Sequence, residues 1–344
     1  RPRRSLRFMA SLTIIDTVPS TGTPPSRQRV AARRSLKMLA GLRRDFPGHS
    51  VLHYQEGRPR PKPSTDLGGS ALPLIAFLSC RDRTGPEHDE LIGALGRYLL
   101  AAQRADGGFH ARVDLETGAP IVGPDLLYAA GQAVFALVLL EDLARRQPDG
   151  PFPPAAELQA AVARAMDYFA EDYWSHGLRG FFFLEENWHC LAARAALGVH
   201  RHAGYERFCL DYVEFKRRLI MDETDGVSPE LVGAYGFGNV LVPHNTPSAG
   251  LGEALAAAMA IRAADGERRP EDVALMERVL TFLVEQQWTY ENCFACAPDH
   301  KVAGGWSESV GSLDLRIDYT QHAWAALGHG GRQLGLLPGG PGGG

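Results

Sequence analysis

The feature that most constrains the fold is a short pattern that recurs along the chain. It consists of an acidic or amide residue, a few polar or aromatic residues, and then an apolar segment rich in alanine and glycine. Its copies begin at spacings of 59, 61, 59 and 73 residues, at Asp66, Asp125, Glu186, Asn245 and Asp318. A repeat of this length is typical of supersecondary units that stack on one another to bury a shared core. The sequence therefore predicts an array of similar units.

Between the copies lie segments with apolar residues at steps of three and four, which predict amphipathic helices. They cover residues 29–43, 87–103, 155–171, 204–220 and 271–288. Each unit then consists of a helix, a long loop and a second helix, and the small residues of the second helix allow close packing. We predict an all-α fold, an (α/α) toroid of about five to six helical hairpins with an inner and an outer ring of helices.

The predicted toroid forms a single domain over residues 29–336. Residues 1–28 are expected to form a flexible N-terminal arm, and the glycine- and proline-rich residues 337–344 a disordered tail.

Composition excludes several classes of function. The net charge is -4 and the pI is about 6.3, so nucleic acid is not an expected partner. No apolar run approaches the roughly eighteen residues of a membrane span. Five cysteines are few and odd in number, which argues against a disulfide framework and favours a reducing, cytoplasmic setting.

Parallel inner helices would place all their N-termini on one rim of the toroid. The residues that open them, Asp66, Asp125, Asn245 and Asp318, belong to the types favoured as N-caps, and we interpret them as caps. Helix N-termini also carry positive partial charge, which suits an anionic ligand.

Other polar side chains in the first two turns of the inner helices are not explained by capping. A buried imidazole or carboxylate must be paired or face a wet cavity, so each is either a satisfied core residue or part of a site. The helices contribute Tyr128, Gln132, Trp188, His189, Glu253, Tyr319 and His322, and the loops add His110, Glu185, His244, Glu308 and Arg316.

Several of these residues suit carbohydrate chemistry. Two carboxyl groups that flank a glycosidic bond can act as general acid and base, and Glu185, Glu253 and Glu308 are the candidates. Trp188 and Tyr128 are candidates for contacts with a sugar ring, although a core position explains an aromatic residue equally well.

A C-x-x-C pattern is formed by Cys293 and Cys296, and His300 follows it closely. This is the spacing of half a zinc site, without a second half nearby. The alternative is a loop with two partly buried thiols.

The predicted toroid resembles the six-hairpin glycosidase and sugar-epimerase superfamily. The segment LLAAQRADGGF also resembles the Q-x-x-x-G-aromatic motif of terpene cyclases and protein prenyltransferases. The DxDD motif of squalene-type cyclases and the three-ligand pattern of lanthionine synthetases are absent from the sequence. These departures favour the carbohydrate-active members.

A narrower resemblance is to the helical domain of glucuronyl C5-epimerases. That family carries in order a Gly-Gln-Ala helix, a Thr-Pro-Ser helix start and an Arg-x-Asp-Tyr-x-x-His segment, which correspond here to GQA at Gly131, TPS at Thr246 and RIDYTQH at Arg316. The resemblance implies that Tyr319 belongs to an active site.

The leading hypothesis is a carbohydrate-active enzyme that acts on an oligosaccharide or uronate-containing glycan in the central funnel. As a hydrolase it would use two of the three glutamates. As an epimerase it would use Tyr319 with His189 or His322 to move a proton, and Arg316 to hold the substrate carboxylate. Neither route uses a redox cofactor.

Two rival hypotheses remain at the level of sequence. One is a non-catalytic toroid that binds a peptide or protein partner. The other is an isoprenoid- or peptide-modifying enzyme with a bound metal.

Overall fold

The computed structural model describes residues 26–54, 63–123, 127–173, 187–236, 243–293 and 302–338. They form ten α-helices: α1 (Ser26–Ala40), α2 (Gly68–Thr84), α3 (Asp89–Ala102), α4 (Leu127–Arg146), α5 (Ala155–Asp167), α6 (Asn187–Ala196), α7 (Ala203–Arg217), α8 (Asn245–Ala264), α9 (Pro270–Glu285) and α10 (Ile317–Gln333). Within the described ranges, none of the helices is apolar enough over sufficient length to cross a membrane.

The helices alternate as the repeat predicts. The predicted amphipathic segments form α1, α3, α5, α7 and α9, and the alanine-rich segments form α2, α4, α6, α8 and α10. Helix α8 is buried around nearly its whole circumference, whereas α9 buries one stripe of residues. A helix that is apolar on all sides belongs in an interior. The predicted alternation of five helix pairs is confirmed for the part of the chain that the structure describes.

The chain divides into two compact units, and the boundary lies within α7. The first unit comprises the described residues up to Cys209, and the second comprises those from Leu210 onward. In the first unit, α4 packs against α2, α5 and α6. In the second unit, α8 packs against α9 and α10. Each unit therefore brings alanine-rich helices side by side, while the single domain over residues 29–336 stays a prediction.

Short strands, which the sequence analysis did not predict, lie in the loops of the first unit. They are β1 (Arg43–Phe46), β2 (His49–Leu52), β3 (Ser64–Asp66), β4 (Arg112–Asp114) and β5 (Pro120–Ile121). Strands β1 and β2 form an antiparallel hairpin, and β3, β4 and β5 form an antiparallel sheet in that order. The sheet holds the loop that leads into α2.

Three amphipathic helices end in the same kind of connection. A backbone bridge closes the loop after α3 between Gln103 and Phe109, and a second joins Gln287 to Trp306 after α9. A third, after α7, joins Ile220 to Tyr235. The recurrence supports the hairpin repeat independently of helix composition.

The segment LLAAQRADGGF owes its pattern to this connection. The Gln103 side-chain amide donates to the carbonyl oxygens of Gly107 (3.2 Å) and of Ala161 in α5 (2.8 Å). Gly107 has a φ of 100°, and a Cβ there would lie 2.2 Å from the carbonyl oxygen of Arg164. Only glycine fits this position, so the motif closes a helix onto its loop.

The interpretation of the opening residues as N-caps is wrong for Asp66, Asn245 and Asp318. Asp66 lies in β3, where its Oδ1 accepts a hydrogen bond from Arg112 Nε at 3.1 Å. Asn245 is the first residue of α8, and Asp318 is the second residue of α10. Asp125 lies outside the described residues.

The true cap positions of α8 and α10 are His244 and Arg316, neither of which makes a side-chain capping hydrogen bond. At α8 the backbone supplies a bond instead, because the N–H of Asn245 donates to the carbonyl oxygen of Glu308 at 2.8 Å. A loop distant in sequence therefore helps to fix the start of this helix.

The number of cysteines argued against a disulfide framework, but the structure contains disulfide bonds. A disulfide between Cys190 and Cys209 joins α6 to α7, and Cys293 is disulfide-bonded as well. An odd total does not prevent pairs from forming. Disulfides are typical of oxidising compartments, so these bonds count against the reducing setting inferred from the number of cysteines.

Candidate active site in the second unit

Two side chains at the start of α10 lie on one face of the helix. Tyr319 and His322 are three residues apart, which places their Cβ atoms about 5–6 Å from each other. Farther along, α10 approaches α8 closely, because a Cβ on Gly252 would lie 3.0 Å from the Cβ of Ala326. The small residues thereby bring the next side chain of α8, Glu253, beside His322.

Glu253 and His322 form a buried pair. The exposed fraction is 0% for Glu253 and 8% for His322. His322 Nδ1 lies 2.8 Å from Glu253 Oε2. An ionised carboxylate only accepts hydrogen bonds, so the pairing favours an imidazole that carries its proton on Nδ1 and its lone pair on Nε2. This arrangement fixes the ring and stabilises the imidazolium that forms when Nε2 takes up a proton.

The loop before α10 folds against the start of α8. Ser309 bridges to His244, and the hydrogen bond from Asn245 fixes the backbone of Glu308 beside it. The Tyr319 hydroxyl donates to Glu308 Oε1 at 3.3 Å. These contacts bring Glu308 and the half-buried His244, both predicted from the sequence, to the loop beside Tyr319, which lies one helical turn before His322.

The surroundings of Tyr319 keep its hydroxyl protonated. Burial raises the pKa of Tyr319; Arg316 lowers it, and Glu308 and Asp318 raise it, with a net rise above the ordinary value. At neutral pH the side chain is therefore a hydrogen-bond donor. It can donate to Glu308, or to an oxygen of a bound molecule on which negative charge develops.

Arg316 stands at the N-terminus of α10 and is engaged by its neighbours. Its Nε and Nη2 donate to the two oxygens of Asp318 at 3.0 and 2.8 Å. The guanidinium also lies over the Tyr319 ring, 5.0 Å from the centroid. Partial burial acts to lower the pKa of Arg316, but Asp318 and Tyr319 outweigh it, so the group stays charged.

His189, a predicted site residue, has the contacts of a core residue in the first unit. Its side chain is fully buried (0% exposed), and its Nδ1 lies 2.5 Å from the Tyr205 hydroxyl. The ring packs against Phe169 and Phe208, with centroid distances of 4.7 and 5.6 Å. Tyr205 was not predicted as its partner, because a pairing across the helix connection leaves no local signal.

The remaining predicted residues of the first unit have different environments. Tyr128, at the start of α4, is 49% exposed, while Gln132 one turn later is buried against Gly68. Trp188 is buried beside Phe135. The described part of the chain offers the buried His110 Nδ1 no hydrogen-bond partner.

Three predicted residues, Glu185, Cys296 and His300, lie outside the described residues. Cys293 is disulfide-bonded, so its sulfur is not the thiolate that a zinc site requires. In the described ranges there is no group of three or more His, Cys, Asp or Glu side chains arranged to hold a metal ion. The disulfide therefore counts against the alternative in which Cys293 is a zinc ligand.

Asp318 was placed incorrectly by the sequence analysis, and it is the partner of the candidate site residue Arg316. It was interpreted as a cap, although the structure pairs it with Arg316. The R-x-D spacing, two residues apart at a helix start, was the signal that could have indicated this pair.

Comparison with known proteins identifies the fold of this chain but does not assign it to a family. No family model and no curated protein matches the chain. Among solved structures, a D-mannose isomerase matches with a TM-score of 0.64 and 13% identity, over 96% of this chain and 87% of that one. A cellobiose 2-epimerase from Bacillus thermoamylovorans B4167 matches with a TM-score of 0.56 and 12% identity, over 84% and 78%.

A glucoamylase from Hormoconis resinae matches with a TM-score of 0.52 and 13% identity, over 96% of this chain and 66% of that one. All three are carbohydrate-active proteins of the six-hairpin, (α/α)-toroid type. At these identities the likeness establishes the fold alone. The predicted (α/α)-toroid fold class is thus confirmed.

Proposed function

We propose that this protein is a carbohydrate-active enzyme that isomerises or epimerises a sugar by moving a proton to and from carbon. The observation that supports this most strongly is the buried Glu253–His322 pair. A fully buried carboxylate that is already bound to an imidazole suits the orientation of a general base. Glycoside hydrolysis would instead require carboxyl groups placed to protonate the leaving oxygen and to activate water.

In the proposed reaction, His322 Nε2 removes a proton from the carbon next to the carbonyl carbon of an open-chain sugar. The electron pair of that C–H bond forms the carbon–carbon double bond of an enediol, and the carbonyl oxygen takes a proton from the Tyr319 hydroxyl. Delivery of a proton from His322 Nε2, after exchange with solvent, to the former carbonyl carbon gives an isomer, while the hydroxyl group on the adjacent carbon returns its proton to the Tyr319 oxygen. Delivery to the opposite face of the original carbon, after the enediol has turned over in the site, gives an epimer, while the former carbonyl oxygen returns its proton to Tyr319. The reaction is redox-neutral overall and uses no redox cofactor.

Electrostatics support these roles. Glu253 stabilises the imidazolium formed in the first step, and Glu308 positions the Tyr319 hydroxyl. The D-mannose isomerase and the cellobiose 2-epimerase among the structural neighbours are named for reactions of this class. Their names motivate the choice of substrates to test.

The test is turnover of a panel of aldoses, ketoses, disaccharides and uronates by the wild-type protein and matched variants. We expect His322→Gln and Tyr319→Phe to lower kcat by roughly 10²–10⁴-fold, the usual contribution of a general acid or base. His329→Gln, on the same helix, and Tyr290→Phe, at an exposed tyrosine, serve as controls and keep wild-type rates. Conversion of no carbohydrate, or wild-type rates in His322→Gln and Tyr319→Phe, would contradict the proposal.

A further inference from the structure

The charges around the start of α10 are mostly negative. The described segments 243–253 and 302–322 contain four carboxylates, Glu253, Glu308, Asp314 and Asp318, and one guanidinium, that of Arg316. The arginine is therefore the one fixed cation in these two described segments. A substrate anion is favoured there only if the guanidinium can form hydrogen bonds with it.

Asp318 occupies the hydrogen-bonding edge of that cation. Both of its carboxylate oxygens accept hydrogen bonds from Arg316, in the two-point geometry by which arginine binds carboxylates. The Tyr319 ring covers one face of the guanidinium. A uronate substrate offers the same planar carboxylate as Asp318 and would have to displace it.

We propose that Asp318 is a specificity-determining residue, which holds Arg316 and thereby selects neutral sugars against uronates. This inference rests on the proposed function, since it names the substrate class of the same site. It also reverses the role first expected for Arg316, which the sequence had suggested as an anchor for a substrate carboxylate. Asp318 repels such a carboxylate and competes with it for one donor edge.

The Arg316 side chain is 64% exposed, so the pair with Asp318 can open when its partner changes. Asp318→Asn removes the negative charge and preserves the shape of the side chain. We expect this variant to bind D-glucuronate about tenfold more tightly than the wild-type protein, with its affinity for D-glucose unchanged. The second substitution Arg316→Gln in the same chain abolishes the gain, because the guanidinium is the proposed anchor.

The experiment is calorimetric titration of D-glucuronate and D-glucose into the wild-type protein, Asp318→Asn, the double variant and Asp314→Asn. Asp314→Asn removes the same charge from the loop before α10 and is expected to behave as wild type. Turnover of neutral sugars and of uronates is measured on the same four proteins. Wild-type turnover restricted to neutral sugars, with uronates gained in Asp318→Asn, supports the inference.

The two proposals fail separately in this experiment. Equal affinity of the wild-type protein and Asp318→Asn for D-glucuronate, or efficient uronate turnover by the wild-type protein, would overturn the role of Asp318. Failure of the wild-type protein to convert any sugar would contradict the proposed function, whatever the titrations show.

Discussion

Replacement of Glu253 by glutamine tests the central pair with the smallest change in shape. The glutamine carbonyl can still accept the Nδ1–H of His322, so the ring keeps its tautomer and loses only the charge of its partner. A hydrogen bond to a charged group contributes about 1.5–3 kcal/mol. The glutamine keeps a neutral hydrogen bond, which contributes about 0.5–1.5 kcal/mol, so the loss is about 1–1.5 kcal/mol. At about 1.4 kcal/mol per tenfold change, this predicts a fall in kcat of roughly 5- to 13-fold. KM is expected to stay near its wild-type value, because Glu253 is fully buried and is proposed to act through His322.

The first unit provides a matched control. Glu141 is also fully buried and lies 3.1 Å from a histidine, His200. Glu141→Gln therefore reproduces the loss of a buried carboxylate beside an imidazole without a change in the candidate site. The assay is steady-state kinetics on the best substrate of the panel, with urea unfolding of both variants to correct for the folded fraction. A wild-type kcat in folded Glu253→Gln, or an equal fall in Glu141→Gln, would refute the reasoning.

Three further predictions concern stability. Reduction of the disulfide between Cys190 and Cys209, which are 19 residues apart, should lower the free energy of unfolding by about 3 kcal/mol. Urea unfolding of the Cys190→Ser, Cys209→Ser double variant without reductant should show the same loss. A double variant as stable as the wild-type protein would contradict this prediction. Gly131→Ala should cost about 1–3 kcal/mol, because its Cβ would lie within 3.0 Å of α6 side-chain atoms, whereas Gly198→Ala has open space and should be neutral. Burial lowers the pKa of His49 despite opposing backbone hydrogen bonds, so its contribution to stability is present above pH 6.5 and is lost as the pH falls below that value. In His49→Phe the free energy of unfolding should therefore fall less steeply as the pH drops below 6.5, and an unchanged slope would count against this assignment.

The helices of this fold were predictable because their signal is local and repeated. Helix α8 shows its buried character in its own sequence, where small apolar residues cover all sides. The pattern around Gln103 likewise contains the glycine that its turn requires. The short strands were not predicted, because they pair through loops that come together only in the folded chain.

The sequence indicated which residue types belong to the candidate site, but it did not indicate which of them pair with each other. Glu253 and His322 were each conspicuous among alanines, but 69 residues separate them and no local pattern indicates that they pair. The caps failed for a similar reason, since the start of α8 is fixed in part by the distant backbone of Glu308. His189 shows the opposite case, because the residue type suggested chemistry and the aromatic surroundings give it a core environment.

The most direct test of proton transfer at His322 is conversion of the substrate in deuterium oxide, followed by nuclear magnetic resonance of the product. The proposed mechanism predicts deuterium bound to carbon at the position of isomerisation or epimerisation, at a rate that falls with kcat in His322→Gln and stays unchanged in His329→Gln. Product that forms without deuterium on carbon, or an exchange rate that is the same in His322→Gln as in the wild-type protein, would contradict it.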